Sequence, residues 1–132
     1  MSFDLTFFLA TAAPKNADEF DEWLDADDDV EMIDPKNLSK TLKAWYDQVK
    51  VNYPPLNGPD AAYDDDLENP NVIDYYFSKD RIETGITYST SQNAVEELLT
   101  AAGKHGIGVF DPQDGSVYFP DSSGGLEKKF EL

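Results

Sequence analysis

The sequence predicts an α+β fold of the ferredoxin-like sandwich type, in which helices cover one face of an antiparallel sheet of about five strands. Alternating apolar residues indicate strands, and an apolar period of about 3.6 residues indicates helices. The two kinds of segment follow one another in the order β-α-α-β-β-α-β-β. The length of 132 residues, with 40% hydrophobic residues, suits a single α+β domain that spans residues 1–132.

The first strand is predicted at residues 3–10, where Phe3, Leu5, Phe7 and Leu9 alternate with the remaining side chains. Alternate residues of a strand point to opposite sides of a sheet, so these four residues form one apolar side. We expect the helices to cover that side. The opposite side is expected to stay open, with Asp4, Thr6, Phe8, Arg81 and Glu83 on it.

Three helices are predicted from capping patterns and apolar stripes. The first begins at Asn16, which precedes Glu19 with the spacing of a capping box, and it places Phe20, Trp23 and Leu24 on one face. The second begins at Asp34-Pro35 and continues for about four turns, with a buried stripe made of Leu38, Leu42, Trp45, Tyr46, Val49 and Tyr53.

The third helix follows a capping pattern at Ser89 and Gln92 and ends at Gly103 or Gly106. Its expected buried stripe consists of Ala94, Val95, Leu98, Leu99 and Ala102.

The remaining strands are predicted as two hairpins. Residues 72–77 and 81–89 form the first, and residues 107–110 and 116–119 form the second around a turn at 111–115.

Two further segments lack a sustained period. Residues 54–71 contain four prolines and an acidic triplet, and we expect a long exposed acidic loop there. Residues 120–132 carry weak signals and are expected to be a loosely attached tail.

The net charge is -17, from 27 acidic and 10 basic residues. Such a field repels nucleic acids and anionic membrane surfaces, so neither is expected as a partner. It attracts a basic protein and raises its association rate. The chain has no cysteine and no stretch near the roughly 20 apolar residues of a membrane span, and a cytoplasmic location is the expectation.

The residues that commonly perform catalysis or bind metals are scarce. His105 is the only histidine, and no serine has the Gly-x-Ser-x-Gly setting of a nucleophile. Residues 25–29 begin like a calcium loop, but Val30 replaces the required glycine and Lys36 replaces the required glutamate. We expect no catalytic residue, no metal and no cofactor. A carboxylate-based enzyme remains the alternative, because a close acidic pair is expected by chance among 27 acids.

The candidate partner-binding residues are acidic clusters in two connections, together with one aromatic residue beside them. They are Asp25, Asp27, Asp28, Asp29, Tyr63, Asp64, Asp65 and Asp66. Acidic groups beside exposed aromatic groups are typical of an interface with a basic partner. The alternatives are a solvated face that serves only solubility, and an adaptation to high salt.

Two motifs carry a resemblance to a known group. Ser2-Phe3-Asp4-Leu5 opens the first strand, and Gly106-Ile107-Gly108-Val109-Phe110-Asp111-Pro112-Gln113 follows the last helix. It resembles small bacterial proteins that open with a similar strand and carry a Tyr/Phe-Asp-Pro-Gln hairpin after the last helix. Members of this group either have no assigned function or resemble immunity proteins, which neutralise a bacterial toxin by binding it.

The resemblance covers both edges of the domain but hardly residues 25–71, and it transfers no functional residue. It implies a cognate toxin domain as the basic partner, with the chain occluding the toxin's active site or nucleic-acid groove. A general regulatory or interaction module with a partner that is not a toxin is the alternative that remains open.

Overall fold

The computed structural model describes residues 2–25, 33–55, 73–87 and 91–132. These residues form an α+β architecture with three α-helices, a 3-10 helix and an antiparallel sheet. The strands are β1 (Ser2–Leu9), β2 (Asp74–Phe77), β3 (Arg81–Thr87), β4 (Ile107–Asp111), β5 (Ser116–Pro120) and β6 (Leu126–Glu131). The helices are α1 (Ala17–Asp25), α2 (Lys40–Val49) and α3 (Ser91–His105), and the 3-10 helix is Pro35–Asn37.

The strands of the sheet lie in the order β2-β3-β1-β4-β5-β6, and every neighbouring pair is antiparallel. β1 therefore lies inside the sheet, with Phe7 opposite Ile82 of β3 and Val109 of β4. The predicted antiparallel sheet is confirmed.

The described part of the sheet contains six strands where about five were predicted, because the expected loose tail contains β6. β6 pairs with β5 along its length, and Leu126 and Phe130 pack against apolar clusters on opposite faces of the sheet. Its sequence, Leu-Glu-Lys-Lys-Phe-Glu, does not alternate because the register shifts beside Val117 and Tyr118. Such a bulge removes the period of two that marks a strand in sequence.

The main core lies between the sheet and α2 with α3. The ring of Trp45 stacks on Phe7 at 4.3 Å between centroids, and its indole Nε1 donates a hydrogen bond to the Leu98 carbonyl at 3.1 Å. All six residues of the predicted second stripe are buried, as expected: Leu38, Leu42, Trp45, Tyr46, Val49 and Tyr53.

The second predicted helix is divided into two pieces. Asp34 caps the 3-10 helix by accepting a hydrogen bond from Lys36 N, but Leu38 then adopts an extended backbone. α2 starts anew after Ser39, whose Oγ accepts a hydrogen bond from Leu42 N. Two caps close together compete for the start of one helix, and the chain uses both.

α1 packs on the face of the sheet opposite to α2 and α3, so the prediction that all helices cover one face is wrong. Phe7 points to the main core, whereas its neighbour Phe8 points to α1, with its ring centroid 5.1 Å from that of Phe20. Phe8, Arg81 and Thr6 are consequently buried, although we expected them on an open face. Only the part of that face around Asp4 and Glu83 is exposed as predicted.

Candidate functional site

The candidate site is the face of the sheet that carries α1, and Arg81 organises it. This residue is the only arginine of the chain, and it is 2% exposed. Its Nη1 donates to the Leu24 carbonyl at 3.3 Å and its Nη2 to the Trp23 carbonyl at 3.1 Å. The guanidinium lies 4.0 Å from the Trp23 ring centroid, and its Nε pairs with Asp80 at 3.2 Å. A cation at these carbonyls stabilises the C-terminal end of α1.

The outward surface of α1 is entirely acidic. Phe20 is buried, Trp23 and Leu24 are partly buried, and the five acidic residues are all exposed. These are Asp18, Glu19, Asp21, Glu22 and Asp25. The last turn contains no basic residue, so the positive charge at that end of the helix comes from Arg81 in β3. The C-terminal end of α1 therefore lies next to Arg81, and Glu83 follows two residues later on the same face of β3.

The exposed part of the sheet face continues this acidic surface. Gly85 lies between Asp4 of β1 and Asp74 of β2, because the register pairs it with both. An ideal Cβ at Gly85 would lie 3.6 Å from Asp4 Oδ1 and 3.7 Å from the Asp74 Cβ. In the next row Glu83 is paired with Thr6 on one side and Tyr76 on the other.

Asp4 and Asp74 therefore flank Gly85, which has no side chain between them, and Glu83 lies in the next row on the same face. Asp4, Asp74 and Glu83 are exposed, and Tyr76 is 40% exposed. We call the surface formed by the five acids of α1 together with Asp4, Asp74, Glu83 and Tyr76 the acidic face.

Gln113 fixes the edge of the acidic face. Its side-chain Oε1 accepts a hydrogen bond from Asp4 N at 2.9 Å, and its Nε2 donates to the Asp4 carbonyl at 2.8 Å. Asp111 Oδ1 accepts from Gln113 N at 2.9 Å and also contacts the side-chain amide. The Asp-Pro-Gln turn thus extends the pairing of β1 and β4 with a side chain.

The structure places one of the predicted partner-binding residues. Asp25 is exposed at the end of α1, next to the carbonyls that Arg81 caps. Asp27, Asp28, Asp29, Tyr63, Asp64, Asp65 and Asp66 lie outside the described residues. Sequence reasoning did not select Asp74 and Tyr76, because their approach to Asp4 depends on the register of three strands. The five acidic residues of α1 were the feature of the sequence that could have identified this face.

His105 lies at the end of α3, and α3 packs on the face of the sheet opposite to the acidic face. Its Nε2 is 2.7 Å from Gln48 Oε1 of α2. Burial lowers the pKa of His105, and the neighbouring charge of Lys104 lowers it further. The lowered pKa favours the neutral imidazole. The contact between His105 and Gln48 links α3 to α2.

Within residues 2–25, 33–55, 73–87 and 91–132, no three or more His, Asp or Glu side chains are grouped so that they could hold a metal ion. Over the same residues, no helix combines the length and the apolar character needed to cross a bilayer. Comparisons of the chain with protein-family models, curated proteins and solved structures found no match.

Proposed function

We propose that this protein is a cytoplasmic inhibitor of the immunity-protein kind, which binds a basic toxin domain through the acidic face and occludes its active site or nucleic-acid groove. The observation that carries the proposal is α1: five exposed acids and no base on a helix that a buried arginine holds against the sheet. A fixed array of charge steers a basic partner and needs little ordering when the complex forms.

The charge density of α1 is close to that of a nucleic-acid strand, which supports a nucleic-acid-binding groove as the target. Nine residues at about 1.5 Å each give a helix of about 13.5 Å, and five carboxylates give about one charge per 2.7 Å. One strand of B-DNA carries about one charge per 3.4 Å of helix axis. A groove that binds phosphates by lysine and arginine side chains therefore meets a comparable line of negative charge on α1.

We further propose that the fold is ferredoxin-like in its central part. The order β2-β3-β1-β4, with α2 connecting β1 to β2 and α3 connecting β3 to β4, is the arrangement of a split βαβ sandwich. α1 is then an addition on the opposite face, and β5 with β6 is an added hairpin. The addition α1 carries five acids of the acidic face, while the central part carries its sheet residues and the main core.

A regulatory module whose partner is not a toxin would use the same surface and the same electrostatics. Co-purification of the tagged protein with the product of the neighbouring gene separates the two functions. A stable complex in which the toxic activity of that product is lost supports the immunity function. A partner without toxic activity supports the regulatory function.

The role of the acidic face is tested by association kinetics with that partner. Replacing Asp21, Glu22 and Asp25 by Asn, Gln and Asn removes three charges from α1. We expect k_on to fall at low salt and the difference to shrink at about 0.15 M salt, where screening acts beyond about 8 Å. Stopped-flow binding at both salt concentrations measures the effect. A second triple variant, with Asp64, Asp65 and Asp66 changed to Asn, tests the acidic triplet of residues 54–71.

The matched control changes three exposed glutamates of α3 and β6, Glu96, Glu127 and Glu131, to Gln. It alters the net charge equally and leaves the acidic face intact. An equal fall of k_on in the control shows that only the net charge matters. An unchanged k_on in the α1 variant contradicts the proposed role of the acidic face.

A further inference from the structure

A groove of ≈ 480 Å³ lies beside β5, where the turn after β1 meets the last hairpin. Its volume is within the range of about 300–1,000 Å³ that small-molecule sites occupy. The groove is lined by Ala10, Thr11, Lys15, Phe119, Pro120 and Lys129. Among the described residues its lining includes two lysines and no acid, in a chain with 27 acidic residues.

Lys15 is held in place at this groove. Its Nζ donates a hydrogen bond to the Ala10 carbonyl at 2.6 Å and lies 4.2 Å from the centroid of the Phe119 ring. No salt bridge joins it to a carboxylate of the described residues. An ammonium group has three donors, so Lys15 keeps donors for a ligand after its bond to Ala10.

The other side of the groove is supplied by β6. Lys129 lies there, and its Nζ pairs with Glu127 Oε2 at 3.3 Å on the exposed edge strand. Exposed ion pairs of this kind contribute little to stability. A ligand anion can therefore replace Glu127 as the partner of Lys129 with a small loss of free energy. Ala10, Pro120 and the rim of Phe119 provide the apolar part of the wall.

We propose that this groove binds a small organic anion, an acidic group attached to a flat apolar part. The acidic group lies between Lys15 and Lys129, and the apolar part rests against Ala10 and Pro120. The net charge of -17 opposes any anion at long range, so the attraction arises locally from the two ammonium groups. The proposal does not rest on the inhibitor function.

Benzoate is the probe, titrated into the ¹⁵N-labelled full chain at about 0.15 M salt, where the field of distant carboxylates is screened. We expect saturable shifts of the amide signals of Thr11, Lys15 and Phe119. Benzyl alcohol lacks the charge and acetate lacks the ring, and both are expected to bind more weakly. Lys15→Gln should lower the affinity for benzoate about tenfold, because a charge-assisted hydrogen bond is lost.

The control is Lys36→Gln, which removes one exposed lysine from the 3-10 helix and should leave the benzoate affinity unchanged. Lys129→Gln should weaken binding like Lys15→Gln, and the amide spectrum verifies that each variant is folded. The proposal is wrong if benzoate shifts signals linearly without saturation. It is equally wrong if Lys15→Gln binds benzoate as tightly as the wild type.

Discussion

The two faces of the sheet are covered in different ways. On one face α2 and α3 pack against each other and against the strands, and they bury a continuous core that contains Trp45, Tyr46 and Tyr75. On the other face a single nine-residue helix, α1, covers a small aromatic cluster around Phe8 and Phe20. The same face also carries the exposed acids Asp4 and Glu83.

The difference shows that one strand can support two kinds of packing. Phe7 and Phe8 are neighbours in β1, and each is fully buried, but they belong to separate clusters. The face that carries α2 and α3, the helix face, is held mainly by buried apolar area, with the hydrogen bond from Trp45 Nε1 to the Leu98 carbonyl inside it. The α1 face is held by a small cluster and by Arg81, and this arrangement leaves five carboxylates facing solvent.

The largest effect is expected on the helix face, from Trp45→Ala. The indole is fully buried against Phe7 and Tyr75, and its removal leaves a cavity and breaks the hydrogen bond to the Leu98 carbonyl. Denaturant unfolding should show a loss of about 3–5 kcal/mol. Val51→Ala is the control, because Val51 is 77% exposed and should change stability by less than about 0.5 kcal/mol. A loss below about 1 kcal/mol for Trp45→Ala would contradict this packing.

Arg81→Met tests how α1 is attached. The substitution leaves the carbonyls of Trp23 and Leu24 without their donor, and we expect a loss of about 2–3 kcal/mol. Hydrogen exchange should accelerate in α1 and change little in α2 and α3. Arg81→Lys retains the charge but cannot donate to both carbonyls in the same fork, so an intermediate effect is expected. Unchanged protection of α1 in Arg81→Met would show that the aromatic cluster alone holds the helix.

Gly108→Ala probes the aromatic cluster from within the sheet. A Cβ there would lie 2.3 Å from the Phe8 ring and 2.9 Å from the Tyr118 carbonyl, so the ring has to move. We expect a loss of about 1–3 kcal/mol by overpacking. Gly85→Ala is the matched control on the same face, since its Cβ would make only ordinary contacts with Asp4 and Asp74. Equal losses at both positions in thermal melts would contradict the close contact with Phe8.

His105→Gln gives the smallest expected effect, on the helix face. Burial lowers the folded pKa of His105 below its ordinary value of 6.5, so the unfolded chain binds more protons around that pH. The contribution to stability is therefore complete above pH 6.5 and is lost as the pH falls through the folded pKa. Denaturation midpoints at pH 7.5 and 5.5 should differ less in His105→Gln than in the wild type. If the two midpoints differ equally in the wild type and in His105→Gln, the pH dependence of stability comes from carboxylates and not from His105.

Local patterns predicted most of the elements. The stripe from Leu42 to Val49 is buried, Asn16 caps α1 by accepting a hydrogen bond from Glu19 N, and Gly106 ends α3 with φ 72°. Each of these features depends on residues within one or two turns of each other. Of the candidate site, the sequence predicted Asp25 as a binding residue and Asp4 and Glu83 on an open face, whereas the approach of Asp74 to Asp4 depends on strand register.

The sequence by itself determined the class of fold, the apolar stripes of the helices and the excess of negative charge. Only the tertiary structure decided that α1 covers the face of the sheet opposite to α2 and α3, and that the end of the chain forms β6. The contacts that hold α1 there join residues far apart in the chain: Arg81 donates to the Trp23 carbonyl across 58 residues, and Phe20 packs against Phe119 and Phe130 in one cluster. The hydrogen bonds of β6 come from β5, so its own residues need not alternate.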